Sequence, residues 1–302
     1  MSSRLEGFSL IELLLALATT LTLSMMVFHL FHHSERVVRD QTLMTEMQQS
    51  VRVVAAQIAD EIRMAGQEVP VYTSNQDAAI SESVVTIFAT STNNRIDFRA
   101  GLSNTETAAT GLTSLNLTLG MVRTLTVSDG SAFSTTLGTT IPFGRFVYVW
   151  GPTSNSTWAW VRAEPIGITS TTLIIIPRQS SNMDSTIHFT RLPTVALEEA
   201  VSIYLSGGSV RRAVATDMTN PASPVWSGAS EMGKNFTSLK FTYYDKNDNV
   251  LAPTALANRI SVARVDVQLT AQTSTVLSNG TQPSYSLSLR TLPRNLRLRS
   301  AN

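Results

Sequence analysis

The chain has 302 residues, of which 15% are charged, with a formal net charge of +1 and no cysteine. That composition excludes the basic signature of a nucleic-acid binder and the acidic tail of a solvating protein, and it excludes disulfides and Cys-based metal or thiol chemistry. An exported domain of this kind has to be held by its core, and the chain is long enough to bury one.

The first predicted element is N-terminal. A polar leader, Met1 to Glu6, precedes Gly7-Phe8-Ser9-Leu10-Ile11-Glu12, and an apolar run from Leu13 to Phe31 follows. Between Phe8 and Phe31 the only carboxylate is Glu12, and there is no Lys or Arg. As a helix this stretch spans roughly 36 Å, enough to cross a bilayer. A carboxylate inside such a segment is costly and reads as functional. No A-x-A-like site follows the apolar run, so the pattern is not that of a secretory signal. The possible cut, after Gly7, lies before the helix, which therefore stays on the mature chain.

Gly7 to Glu12 with its apolar helix resembles the class III signal of type IV pilins and type II secretion pseudopilins. The resemblance implies cleavage between Gly7 and Phe8 by a prepilin peptidase and N-methylation of the new Phe8 amine. It implies that Glu12 pairs with the N-terminal amine of a neighbouring subunit. The physics agrees, because a carboxylate in hydrocarbon needs a cation. Arg4 on one side and Arg36 and Arg39 on the other leave the positive-inside rule ambiguous. The outward orientation of the remaining chain rests on the resemblance and on its Ser/Thr-rich character.

Helical periodicity continues past the membrane segment. Met44, Met47, Val51, Val54, Ile58, Ile62 and Ala65 recur at spacings of three and four. Gly66 offers a cap and Pro70 prevents continuation. The pattern predicts one helix from about Ser9 to Ala65, on the order of 85 Å long. Its first half is apolar all round and its second half amphipathic, so the second half should lie on a globular domain. His29, His32 and His33 end the apolar run and read as an interfacial cluster rather than a metal site.

Beyond Pro70 the period changes to two. Ser83 to Phe88 and Arg95 to Arg99 read as paired strands. Residues 101–140 read as Thr/Ser-rich loops with short strands near Leu115 to Leu117 and Met121 to Val127. Arg145 to Trp150 and Thr157 to Val161 read as a hairpin turning at Gly151-Pro152. Thr172 to Ile176 reads as a buried strand ended by Pro177, and Ile187 to Thr190 as a shorter one. Glu199 to Leu205 and Val210 to Val214 flank Gly207-Gly208, a hairpin signal. Thr237 to Tyr244 is closed by Asp245 to Asn249. Arg259 to Thr270 reads as a long strand with a phase slip at Ala263-Arg264, and Tyr285 to Leu292 as the last strand. Tyr204, Arg211-Arg212, Phe241-x-Tyr243-Tyr244-Asp245 and the closing strands are similar to the C-terminal half of PilW-type and J-type minor pilins.

No Gly-rich phosphate loop, H-E-x-x-H or G-x-S-x-G is present, so no enzyme is expected. Asp245, Asn247 and Asn249 have the spacing that opens a calcium loop, but Val250 and Leu256 stand where it needs Gly and an acid, so a turn is the better reading. Arg294, Arg297 and Arg299 read as a solvated tail. No metal, cofactor or nucleic-acid partner is expected.

The expected fold class is α+β, a long N-terminal helix packed on an antiparallel β-sheet domain, as in pilins. The expected layout is a leader at 1–7, a helix at 8–66 (8–31 transmembrane, 32–66 amphipathic) and an extracytoplasmic β-rich domain at 67–302. A Ser/Thr-rich insertion is expected at about 100–190. The resemblance implies a minor pilin of a type IV pilus, held in the inner membrane before it joins the filament. Its partners would be the prepilin peptidase, the membrane and other pilin subunits. A minor pseudopilin of type II secretion and an adhesive or DNA-uptake module on a pilin helix are the alternatives.

Overall fold

The computed structural model describes residues 9–70, 81–111, 113–138, 140–153, 157–181 and 185–293. The expected α+β class is the one found. A single helix, α1 (Leu10–Arg63), runs 54 residues without a break. At the α-helical rise it is about 80 Å long. Antiparallel sheets dominate the rest of the described residues.

The strands in chain order are β1 (Arg95–Arg99), β2 (Glu106–Ala108), β3 (Leu115–Thr118), β4 (Arg123–Thr126), β5 (Val147–Pro152), β6 (Trp158–Ile168), β7 (Thr172–Ser180), β8 (Thr186–Phe189), β9 (Thr194–Leu197), β10 (Ala200–Ser206), β11 (Ser209–Asp217), β12 (Val225–Trp226), β13 (Ser230–Gly233), β14 (Phe236–Tyr244), β15 (Val250–Leu251), β16 (Arg264–Gln272) and β17 (Ser284–Thr291). Two short helices, α2 (Ser131–Leu137) and α3 (Leu256–Ile260), interrupt them. One sheet has the order β1-β10-β11-β12, with β13 also on β11, and a second runs β15-β14-β16-β17. A third runs β2-β9-β5-β6-β7-β4, and β3 pairs with β8 alone.

There are two main apolar cores. The first joins the stripe Met47, Val51, Val54, Ile58 and Ile62 of α1 to Phe98, Ile203, Phe241 and the alternating Val265, Val267 and Leu269. Helix α1 packs chiefly on β16 and β17. The second core is confined to residues 115–197 and unites α2, β3 and β8 with the six-stranded sheet. The Thr/Ser-rich stretch has its expected short strands, β3 and β4, and adds β2, helix α2 and a core of its own. Alternate positions such as Leu115, Leu117, Leu125 and Val127 are buried, and the intervening Thr, Ser and Asn face outward.

The path into and out of the six-stranded sheet is a narrow neck. Pairing of β1 with β10 ends at Arg99↔Ala200 and resumes as β2 with β9 at Glu106↔Ala196. Between them Ala100 N donates to Glu199 O at 3.2 Å and Leu197 N to Thr105 O at 3.0 Å. The two crossings thus form one continuous ribbon, bent where it passes between sheets.

Several turn expectations are corrected. Ser83 to Phe88 is not a strand; only Ile87 bridges Phe98. Two backbone bonds still pair it with β1, Phe88 N to Asp97 O at 3.0 Å and Arg99 N to Thr86 O at 2.8 Å, and side chains add to them. The Tyr148 hydroxyl oxygen lies against Ser83 O, Arg99 donates to Val85 O, and Arg259 grips Glu82 with two bonds at 2.6 and 2.7 Å. Gly151-Pro152 is not a turn. The β5–β6 ladder continues through Gly151↔Ala159 and Pro152↔Trp158, and Thr153 N closes the turn on Thr157 O at 2.7 Å. Pro177 does not end β7. It sits opposite Ala163 beside a register shift, where its missing N–H is tolerated. The slip at Ala263-Arg264 marks a change of element, since α3 precedes it and β16 starts at Arg264. The Gly207-Gly208 hairpin is found, with Ser206 opposite Ser209 and both glycines at positive φ, 58° and 74°.

Candidate functional site

The N-terminal half of α1 has no protein around it. Leu10 to Phe31 is exposed along its whole length, and the helix is long and apolar enough to cross a membrane. Its threonine hydroxyls are already paired within the helix. Thr19 donates to Ala16 O at 2.9 Å, Thr20 to Ala16 O at 2.7 Å and Thr22 to Thr19 O at 2.9 Å. Such back-bonding removes hydroxyls that hydrocarbon could not satisfy.

Glu12 stands in the first turn and is exposed. It completes a capping box, taking the Ser9 N–H on Oε2 at 3.0 Å while Ser9 Oγ accepts from Ile11 N at 3.4 Å. That arrangement leaves the carboxylate at the helix surface, where a second subunit could reach it. Gly7 and Phe8 lie outside the described residues, as do Arg294, Arg297 and Arg299. His29, His32 and His33 are exposed on α1, with His32 Nδ1 3.5 Å from Glu35. Among the described residues no group of three or more His, Cys, Asp or Glu is placed to hold a metal. Asp245 accepts Asn247 N and Asn249 N, both at 2.8 Å, and so closes the β14–β15 hairpin.

The protein takes hold of α1 from Asp40 onward. Asp40 accepts Ser278 N at 3.1 Å and the Ser278 hydroxyl, in the β16–β17 loop. The Ser278 hydroxyl, then its backbone N–H, hold the Asp40 carboxyl below the usual carboxylate range. Near the other end Arg212 of β11 donates to Glu61 at 2.6 Å. Between these polar fasteners lies the apolar stripe. The result is a helix clamped over its last 24 residues, 40–63, and bare before them.

The neck holds a polar cluster that sequence reading missed. Glu198, wholly buried, accepts from Arg99 Nε at 2.8 Å, Arg162 Nε at 2.6 Å and Tyr148 OH at 2.9 Å. Phe88 covers the Arg99 guanidinium at 4.3 Å, and Phe146 covers that of Arg162 at 3.6 Å. Burial opposes the Glu198 charge, but Arg162 and Arg99 outweigh it and hold the carboxyl below its ordinary range. Burial pushes the Tyr148 phenol well above its ordinary value. The next residue, Glu199, accepts Leu102 N at 2.9 Å and Ser103 N at 2.8 Å, which fixes the opposite crossing. The sequence signal was present: two adjacent acids between the apolar runs Thr194–Leu197 and Ala200–Leu205 have no solvent side to occupy.

No protein-family model matches the chain, and no curated protein matches it. Among solved structures, a type IV-like pilin from Thermus thermophilus is similar at 10% sequence identity and a TM-score of 0.24. The match covers 55% of this chain and 93% of that one.

Proposed function

We propose that the chain is a minor pilin of a type IV pilus, with a structural rather than a catalytic role. The observation that carries this reading is the division of α1 into a bare apolar half and a half clamped on antiparallel sheets. The motif Gly7-Phe8-Ser9-Leu10-Ile11-Glu12 supports it from the sequence. In this reading a prepilin peptidase cuts between Gly7 and Phe8 and the Phe8 amine is methylated. Leu10 to Phe31 holds the subunit in the inner membrane, with the sheets outside, until it enters the filament. Apolar packing among such helices supplies cohesion. The exposed Glu12 supplies register by pairing with a neighbour's terminal amine. The PilW-type resemblance of the last hundred residues favours an assembly-priming position near the tip, and the length of the chain favours a minor over a bulk subunit. A pseudopilin of type II secretion would use the same helix in the same way.

The test is Glu12→Ala. The variant should remain in the membrane fraction at wild-type level but be missing from filaments sheared off the cell. Wild-type incorporation of Glu12→Ala would remove the assembly role assigned to the carboxylate. A second reading, a binding module carried on a pilin helix, is favoured by the separate core of residues 115–197.

A further inference from the structure

The turn that follows α1 contains an acid with no counterpart. Glu68 has a left-handed backbone, φ 62°, which an ordinary side chain rarely adopts. It is 8% exposed, and neither carboxyl oxygen has a hydrogen-bond partner. The carboxyl lies flat on Gly101, where an added Cβ would fall 2.4 Å from Glu68 Cδ. Gly101 is the first residue of the neck after the Ala100 bridge. The turn itself is stitched to the same place, with Ala65 bridging Ala100 and Gly66 N donating to Arg99 O at 2.8 Å. A buried polar group without a partner calls for a physical reason. Among the described residues no group of acids is placed to make this a metal site.

The charged groups that act on Glu68 are both acids. Glu199 comes from the crossing before β10, and Glu106 opens β2. Glu199 is already committed to the Leu102 and Ser103 amides. An ionised Glu68 would therefore face two like charges in a dry turn with no donor to offset them, whereas the neutral acid removes most of that cost.

We propose that Glu68 is a pH-operated latch between the end of α1 and the neck. As the neutral acid it stays in the turn and holds the helix end against Gly101. As the carboxylate it is expelled, and the crossing from Gly101 to Thr105 loosens with it. The latch thus governs how firmly the six-stranded sheet is coupled to the helix, whatever the helix assembles with.

Burial first, then Glu199 and Glu106, push the carboxyl from its usual 4.5 up to about 7. The folded value exceeds the unfolded one, so the stabilisation is complete below the usual value. It is lost as pH rises towards 7, and above that the loss is constant. Within that window local opening should increase by up to about tenfold per pH unit.

The experiment uses the full chain in detergent micelles between pH 5 and pH 8. Hydrogen exchange of the amides at 101–105, corrected for intrinsic rates, is followed in the wild type and in Glu68→Gln. The proposal expects opening to grow from pH 5 to 7 in the wild type and to stay flat in the variant. It also expects the thermal midpoint of Glu68→Gln to match the wild type at pH 5 and to exceed it at pH 8. Parallel pH profiles in the two proteins would overturn it. If Glu68→Gln does not fold, a flat corrected profile in the wild type overturns it alone.

Discussion

Two junctions hold this molecule together, and they are built on opposite principles. Where α1 meets the sheets, the contact is an apolar stripe meeting alternating Val and Leu residues. Where the six-stranded sheet meets the others, a small apolar cluster of Phe88, Phe146, Ala200, Ala215 and Met218 flanks a polar one of Arg99, Glu198, Arg162 and Tyr148. Apolar burial is non-directional and grows with area. A buried ion cluster adds little net stability over apolar packing, yet it tolerates only one arrangement and fails badly when one member is lost. The helix junction thus supplies cohesion, and the neck supplies a fixed angle.

The comparison predicts unequal costs. Glu198→Ala leaves two buried guanidiniums without their carboxylate and should cost about 3–5 kcal/mol in chemical unfolding. A smaller loss than that of an apolar truncation would mean the cluster is not the keystone of the neck. Ile58→Ala, at a fully buried position on the α1 stripe, should cost about 2–4 kcal/mol while leaving the neck amides protected from exchange. If it exposed the neck as well, the two junctions would be one cooperative unit. The smallest effect belongs to Asp40→Asn, which removes the charge of a half-buried fastener. Its depressed folded value means that the wild-type contact is present above the usual 3.8 and is lost as pH falls below it. Exchange at Ser278 should therefore rise in acid for the wild type and change little with pH in Asp40→Asn.

What the sequence made legible follows the same division. The α1 stripe was readable because a period of 3.6 residues writes burial directly into spacing. The Gly207-Gly208 hairpin was readable because two glycines at positive φ suit that turn and little else. The neck was not. Arg95-Ile96-Asp97-Phe98-Arg99 alternates as a half-exposed strand should, but Asp97 and Arg99 are as buried as Ile96 and Phe98. Alternation there separates two kinds of interior, one apolar and one polar, and no periodicity distinguishes a polar interior from water. Pro177 and Gly151 misled for a related reason. Each is a turn residue by local preference, and tertiary packing kept both inside strands. For the proposed assembly residues, the motif at Gly7 to Glu12 carried the inference, and the structure adds the exposure of Glu12.

The adjacency of the two crossings has a consequence for how this protein could diversify. A segment that leaves and re-enters its host through neighbouring positions, here Ala100 and Glu199, can be exchanged in a single replacement without parting the host's own strands. The whole face displayed by residues 106–197 is in that sense a cassette. Yet it is a keyed one: Arg99 and Glu198 wait at the socket, and any incoming cassette must bring a cation where Arg162 now stands and a donor where Tyr148 now stands, or leave Glu198 under-compensated in the dark.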